Sequence, residues 1–450
     1  MSTEPLAPTR LLARYIATSR FDALPAGVVR EAIRSLVNWA GCAIGGANHE
    51  SVDIALASLA PFAGAPQAAL PGRSERTDCL LAALLEGIAS HVLDFDDTHP
   101  EIFVHPSGPV AAALLPLAEL RGSSGAEFIN AFVAGVEAEC RVARAILPSH
   151  YAVGWHITGT AGVVGAAAAC ARLLGLDELR TTWALGTAAT QASGIREMFG
   201  SMGKSFHAGR AAQGGLVAAL LAQGGFTSAE TALEGARGFI HVLSTTPNPA
   251  ALTARLGEDY ELLRNTYKAY ACGLVIHPSL DGCLQLRERH RLRGPEIERI
   301  DLAVHPIVLE LTGKTSPRTG LEGKFSVFHG AAVAILDGAG GEAQFSDQRV
   351  SAPDALALRQ KVRAAVDPTL GKEQARVSIL LKDGTRHDLR VEHFSGSLER
   401  PLTDAELDAK FLALSTPALG SAAAPALAAL RTLPQERNVA DVARLCAKAS

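Results

Sequence analysis

Residues 375–394, ARVSILLKDGTRHDLRVEHF, interrupt an otherwise helical chain and settle its fold class. Two runs alternate apolar and polar side chains and meet around Asp383–Gly384. A period of two gives each run one core-facing side, and Asp-Gly supplies the backbone freedom of a tight turn. The spacing predicts a β-hairpin. Upstream, RIDLAVH (299–305) alternates in the same way and reads as another strand, while 353–366 reads as helix.

Outward from this region the signal is helical. PLTDAELDAKFLAL (401–414) opens with Thr403 and Glu406 at capping-box spacing and returns to helix. Before residue 265, segments 28–44, 78–93, 108–121, 125–147, 157–174 and 208–223 carry apolar residues every three to four positions. GTAGVVGAAAACARLLG (159–175) is dense in small residues, the composition of closely packed helices rather than of a phosphate loop. The expected fold class is α+β. A large all-α helical domain, discontinuous over 1–267 and 400–450, surrounds a smaller α/β domain over 268–399.

At 450 residues the chain exceeds one ordinary core. An apolar fraction of 48% and a charged fraction of 20% suit a folded globular protein. A net charge of −4 without a basic block argues against nucleic acid as a partner. The uncharged stretches 157–171 and 181–195 are too short and too weakly apolar to span a membrane, and read as buried helices. The opening stretch, MSTEPLAPTRLLARYIATSRF, lacks the apolar core of a secretory signal. Seven scattered cysteines without a CxxC pair fit reduced thiols, so a cytoplasmic location is expected, with neither disulfide framework nor zinc cage.

Chemistry concentrates in HVLDFDDTHPEIFVHPSGPV (91–110), where three aspartates and three histidines fall between His91 and His105. Further polar islands hold His156, then Lys204 with His207 and Arg210, then Lys268 with His277, then Lys324 with His329. Each has a plain structural alternative. His156 reads as a helix cap, Lys204 as a solvated lysine among glycines, and HPSGP as a helix entry with Ser107 capping and Pro109 in the first turn. What favours a site is joint occurrence: short Gly- or Pro-flanked loops, each offering a cation or imidazole beside an apolar helix. Converged, they would form a cationic pocket for a small polycarboxylate, with imidazoles to move protons and lysines to stabilise an enediolate. A magnesium box from Asp96, Asp97 and Glu101 is disfavoured by Pro100 within it and by only 5% aromatic residues. A His/Asp transition-metal site in the same stretch is the other alternative; the reading adopted uses neither metal nor cofactor.

LDFDDTH, HPSGPV, GWHITGTAG, MGKSFHAGRAAQGG, YKAY…HPSLDG and GKFS, in this order over about residues 10–415, resemble the MmgE/PrpD family. That family includes 2-methylcitrate dehydratase, cis-aconitate decarboxylase and iminodisuccinate epimerase. The resemblance implies a helical larger domain, a smaller α/β domain, a homodimer, and a cofactor-free site in the cleft between domains. Carried over by motif, the catalytic positions are Asp94, Thr98, His105, His156, Lys204, Lys268 and His277. Arg210, Lys324 and His329 are expected to bind substrate. Where the decarboxylase places a histidine five residues beyond the second lysine, this chain has Gly273, and His329 stands where the family often has tyrosine. The expected activity is a lyase, dehydratase or decarboxylase, acting on a small di- or tricarboxylate. An epimerase of an iminodisuccinate-like compound and a non-catalytic carboxylate-binding protein are the alternatives.

Overall fold

The computed structural model describes residues 7–449; the first six residues of the opening stretch lie outside it. Most of the chain is helix, with a smaller α/β part. The expected helices occur as Ala26–Gly46, Cys79–Val92, Ser107–Arg121, Gly125–Ile146, Ile157–Leu173 and Met202–Gln223. Local chemistry sets their ends. Asp78 accepts from the backbone N–H of Leu80 and Leu81 (2.9 and 3.1 Å), and Ser124 and Glu127 form a reciprocal capping box. Two boundaries differ from expectation. The last of these helices begins six residues before 208 and takes Lys204 and His207 into its first turns. Within 181–195, the helix Glu178–Ala189 ends early, and 190–195 turns toward the site.

Helix packing is close because the residues at the crossings are small. A Cβ on Gly87 would lie 2.4 Å from Gly209 Cα, and one on Gly209 would lie 2.2 Å from Leu84 O. The helices Cys79–Val92 and Met202–Gln223 therefore touch backbone to backbone. Gly87 and His91 lie one turn apart on the same helix face, so this crossing also fixes how Lys204 meets His91.

The larger of two sheets has four strands in the order Val362–Val366, Ile297–Val304, Ala375–Leu381, Arg386–Val391. The first pair is parallel and the other two are antiparallel. The hairpin turns at Gly384, which takes φ +89°, a conformation open to glycine. The expected helix over 353–366 is a correction: only Pro353–Arg359 is helical, and Val362–Val366 is a strand. A five-residue run has no room to show a period, and pairing with Ile297–Val304 overrides its local preference. The helices His277–His290 and Val327–Asp337 pack against this sheet.

Two large apolar cores and a small cluster of Tyr267, Leu402 and Leu407 form among the described residues. The larger gathers the N-terminal helices together with Phe411, Leu427, Leu433 and Val442 from the tail. The smaller gathers residues of 271–379 together with Cys42, Val92, Leu93 and Phe95. The tail opens with the capping box of Thr403 and Glu406 and packs Asp404–Leu419 on Ala26–Gly46. By length and composition the run Asp404–Arg431 could cross a membrane; it is interrupted at Gly420, which has φ +57°.

The Gly87 crossing generates a test. Gly87→Val is expected to lower unfolding stability by about 2 kcal/mol or more, because backbone atoms cannot give way to new side-chain volume. Urea denaturation measures it.

Candidate active site

Loop 93–106 joins the helices Cys79–Val92 and Ser107–Arg121. Thr98 and Thr266 exchange backbone hydrogen bonds at 2.8 and 3.0 Å, laying the segment before Lys268 beside the loop. Asp97 Oδ2 accepts from Ser107 Oγ (2.6 Å) and Asn265 Nδ2 (2.5 Å), which anchors both strands of that junction. Ser107 therefore holds the loop instead of capping its helix, because its hydroxyl is turned to the buried carboxylate.

Asp94 has φ +49°, uncommon for a residue with a Cβ. Its Oδ1 accepts from Lys204 Nζ at 2.8 Å and from Lys268 Nζ at 2.9 Å, and its Oδ2 has no partner. Burial alone would raise the Asp94 pKa, yet Lys204 and Lys268 hold it well below the usual carboxylate range. Burial lowers the pKa of Lys204, while at Lys268 the nearby Asp94 and Asp96 outweigh burial and raise it. The floor of the site is thus two ammonium groups on one carboxylate.

Behind Lys204 runs a second chain. Its Nζ lies 2.9 Å from His91 Nε2, and His91 Nδ1 lies 2.6 Å from Asp96 Oδ2. An ammonium only donates, so Nε2 accepts and Nδ1–H donates to Asp96. Burial keeps this imidazole neutral by lowering its pKa. The chain orients Lys204 from behind while Asp94 holds it in front.

His105 is oriented through Nδ1, which donates to the carbonyl of Asp97 at 2.8 Å, with Thr98 Oγ1 at 3.2 Å. That tautomer leaves Nε2 as the free acceptor. His156 precedes the helix Ile157–Leu173 without capping it; its Nδ1 meets His207 Nδ1 at 2.8 Å and its Nε2 is buried without a partner. Burial pushes both pKa values well below 6.5, aided at His156 by the charge of Lys204. Both rings are neutral at pH 7. Burial likewise lowers His207 to about 4.

Asp94, Thr98, His105, His156, Lys204 and Lys268 line one cavity of about 520 Å³, mouth included, with Phe103, Tyr151, Phe199 and Phe325 as its aromatic walls.

Four expected residues stand outside this cavity. His277 is fully buried between the rings of Tyr270 and Phe394, because its helix packs into the smaller core. Arg210 faces solvent and bonds Gln213, since its position lies on the outer side of the Met202–Gln223 helix. Lys324 spends its ammonium on Leu93 O, Ala271 O and Glu342 Oε2, which ties loop 93–106 to the smaller core. His329 donates to Gln344 O at 2.9 Å and packs on Phe345. The sequence reading gave no catalytic or binding role to His91, His207 or Lys410, and weighed Asp96 only in the disfavoured magnesium box. His91 and Asp96 lay in plain view, but the partner that gives them a role, Lys204, is over a hundred positions away.

His91, His105 and His156 each offer a ring nitrogen, all within 4.8 Å of one another, the spacing of a possible three-histidine metal site. The donor set fits a dication poorly, because Lys204 Nζ already occupies His91 Nε2 and adds a positive charge there.

The chain belongs to the MmgE/PrpD family. The sequence model of the MmgE/PrpD N-terminal domain matches residues 10–252, and that of the C-terminal domain matches residues 270–433. Cis-aconitate decarboxylase of Mus musculus is 26% identical over 428 residues, 90% of this chain and 86% of that protein. The Homo sapiens protein of the same name is 28% identical over 349 residues, 74% of this chain and 72% of that protein. Cis-aconitate decarboxylase of Aspergillus terreus (strain NIH 2624 / FGSC A1156) is 25% identical over 427 residues, covering 88% and 86%.

Two predictions follow from the charges. Chelator dialysis is expected to leave the melting temperature unchanged; a fall of several degrees reversed by zinc would show that the imidazoles hold a metal. Asp97 is raised to about 7, chiefly by burial, against the hydrogen bonds from Ser107 and Asn265. A raised carboxyl pKa stabilises the folded state fully below the unfolded value of about 3.9, and this contribution is lost as pH rises through about 7. Asp97→Asn is therefore expected to gain stability relative to the parent between pH 5 and pH 8, by about 1 kcal/mol or more, in urea titrations.

Proposed function

We propose that the chain is a cofactor-free lyase that moves a proton at the carbon α to a carboxylate of a small di- or tricarboxylate. The observation that carries this reading is the Asp94 carboxylate holding Lys204 and Lys268 side by side next to two neutral imidazoles. A substrate carboxylate docked on the lysine pair gains charge-assisted hydrogen bonds in a desolvated cavity. The same pair stabilises the second negative charge that appears when the α-proton leaves, which is worth most in the transition state. His105 Nε2 takes the proton, because its Nδ1 is committed to the Asp97 carbonyl. His156 Nε2 donates to the departing or re-forming group when its Nδ1 accepts from His207. In a dehydration the leaving hydroxyl takes that proton and departs as water. In a decarboxylation CO2 leaves, the C–C electron pair passes into the carboxylate-stabilised carbanion, and a proton entering through the His207–His156 pair is delivered to that carbon from His156 Nε2. The relatives named cis-aconitate decarboxylase support a lyase. The working form in this reading is a cytoplasmic homodimer.

An epimerase of an iminodisuccinate-like dicarboxylate is the second reading. It is favoured by the His105 and His156 rings, whose centroids lie 6.5 Å apart on separate elements. A carbon between them could lose its proton to one ring and regain one from the other.

Proton NMR in D2O with cis-aconitate, citrate, 2-methylcitrate, itaconate and iminodisuccinate tests both. Deuterium entering an α-carbon, or a new product, is expected, with a loss of about 10²–10⁴-fold in His105→Ala and about 10²–10³-fold in Lys204→Ala. Because burial depresses the His105 pKa, the base stays active as pH falls past 6.5, and kcat/KM drops only at more acidic pH. An unchanged rate in both variants would sink the mechanism.

A further inference from the structure

We infer that the acid selected by this cavity carries at most two carboxylates together with an apolar arm, so that a third carboxylate is disfavoured. This narrows the substrate class of the reaction proposed above and rests on that reading for the site's role in turnover. The charged groups lining the cavity are Lys204, Lys268 and Asp94, one net positive charge. One substrate carboxylate neutralises it. A second can take a hydrogen bond from Thr98, which lines the cavity beside His105.

Beyond these groups the wall is hydrocarbon. Leu274, Val275 and Leu311 face the cavity alongside the aromatic rings. Phe199 and Phe325 stand 5.6 and 5.7 Å from Lys204 Nζ, so apolar surface begins directly at the floor. Gly273 keeps this wall open: a Cβ there would stand 3.2 Å from Thr312 Cγ2 and 3.8 Å from Phe325 Cδ1. The neighbouring cations are committed elsewhere. Lys324 is saturated by Leu93 O, Ala271 O and Glu342, and Arg196 donates to Tyr151 O and Glu310. Lys372 rests 4.4 Å over the Phe103 ring and is not part of the lining. A third carboxylate would be desolvated against Leu, Val and Phe without a partner, whereas an alkyl arm would gain from the same contact.

The test compares two unreactive acids of matched size, 2-propylsuccinate and propane-1,2,3-tricarboxylate, which differ in whether the arm ends in methyl or carboxylate. Calorimetry on the full chain is expected to give at least about tenfold tighter binding of 2-propylsuccinate. Leu311→Asn, at a half-buried position, is expected to shrink that preference to about threefold or less by weakening the alkyl acid. Val275→Thr keeps the shape and moves the preference in the same direction, which covers the case in which Leu311→Asn folds poorly. Equal or reversed affinities in the parent protein overturn the inference, as does failure to bind either acid. Deuterium exchange reads the proton-transfer proposal separately. A silent exchange experiment with the binding preference intact would remove the reaction and leave the selectivity standing.

Discussion

Three consecutive carbonyl oxygens, those of Leu93, Asp94 and Phe95, each accept a hydrogen bond from a different lysine. Lys324 reaches the first at 2.8 Å, Lys268 the second at 2.9 Å and Lys410 the third at 2.7 Å. The rest of the site depends on this arrangement. It holds Asp94 at φ +49°, a conformation that costs about 1–3 kcal/mol and persists only where surrounding contacts over-determine it. The three lysines come from the segment after the α/β junction, from the smaller core and from the C-terminal tail. The loop is thus tied at three successive residues to three separate parts of the chain.

Lys410 shows how far this coupling extends. Its ammonium also donates to Asn38 Oδ1 and to the carbonyl of Lys268, both at 2.8 Å, so one tail residue joins the first long helix, the site loop and a floor lysine. Burial lowers its pKa to about 8, the cost of placing a cation where only neutral oxygens receive it. The floor follows the opposite logic. There Asp94 supplies a full negative charge for two ammonium groups, which lets both remain charged while keeping one net positive charge for a ligand. The imidazoles beside them are neutral because burial penalises their charged form, and neutrality is what a proton acceptor requires.

Much of the fold was legible in the sequence because it rests on local signals. The three-to-four spacing marked the long helices, Thr403 with Glu406 marked the return to helix, and Asp383–Gly384 marked the hairpin. The strand at 362–366 was hidden because five residues bordering a short helix carry no period, and only a partner strand defines them. The six residues brought together at the cavity stand in short motifs beside helix ends, where a polar side chain in apolar surroundings is conspicuous. Arg210 stands in the same motif as Lys204, but its position falls on the solvent side of their shared helix. Lys410 had no such signal, since PLTDAELDAKFLAL reads as an ordinary amphipathic helix and the value of its lysine depends on distant carbonyls. His91 was visible, but its role is set by Lys204 across a helix crossing that Gly87 and Gly209 permit.

In the proposed reaction a substrate carboxylate docks on the Asp94-bound lysine pair, with His105 beside the carbon that loses its proton. A crystal structure of the chain with an unreactive dicarboxylate such as 2-propylsuccinate tests it most directly. One carboxylate is expected within about 3 Å of both Lys204 Nζ and Lys268 Nζ, with the α-carbon facing His105 Nε2. A dicarboxylate bound in the cavity with neither lysine in contact, or with His105 turned away from the α-carbon, would contradict it.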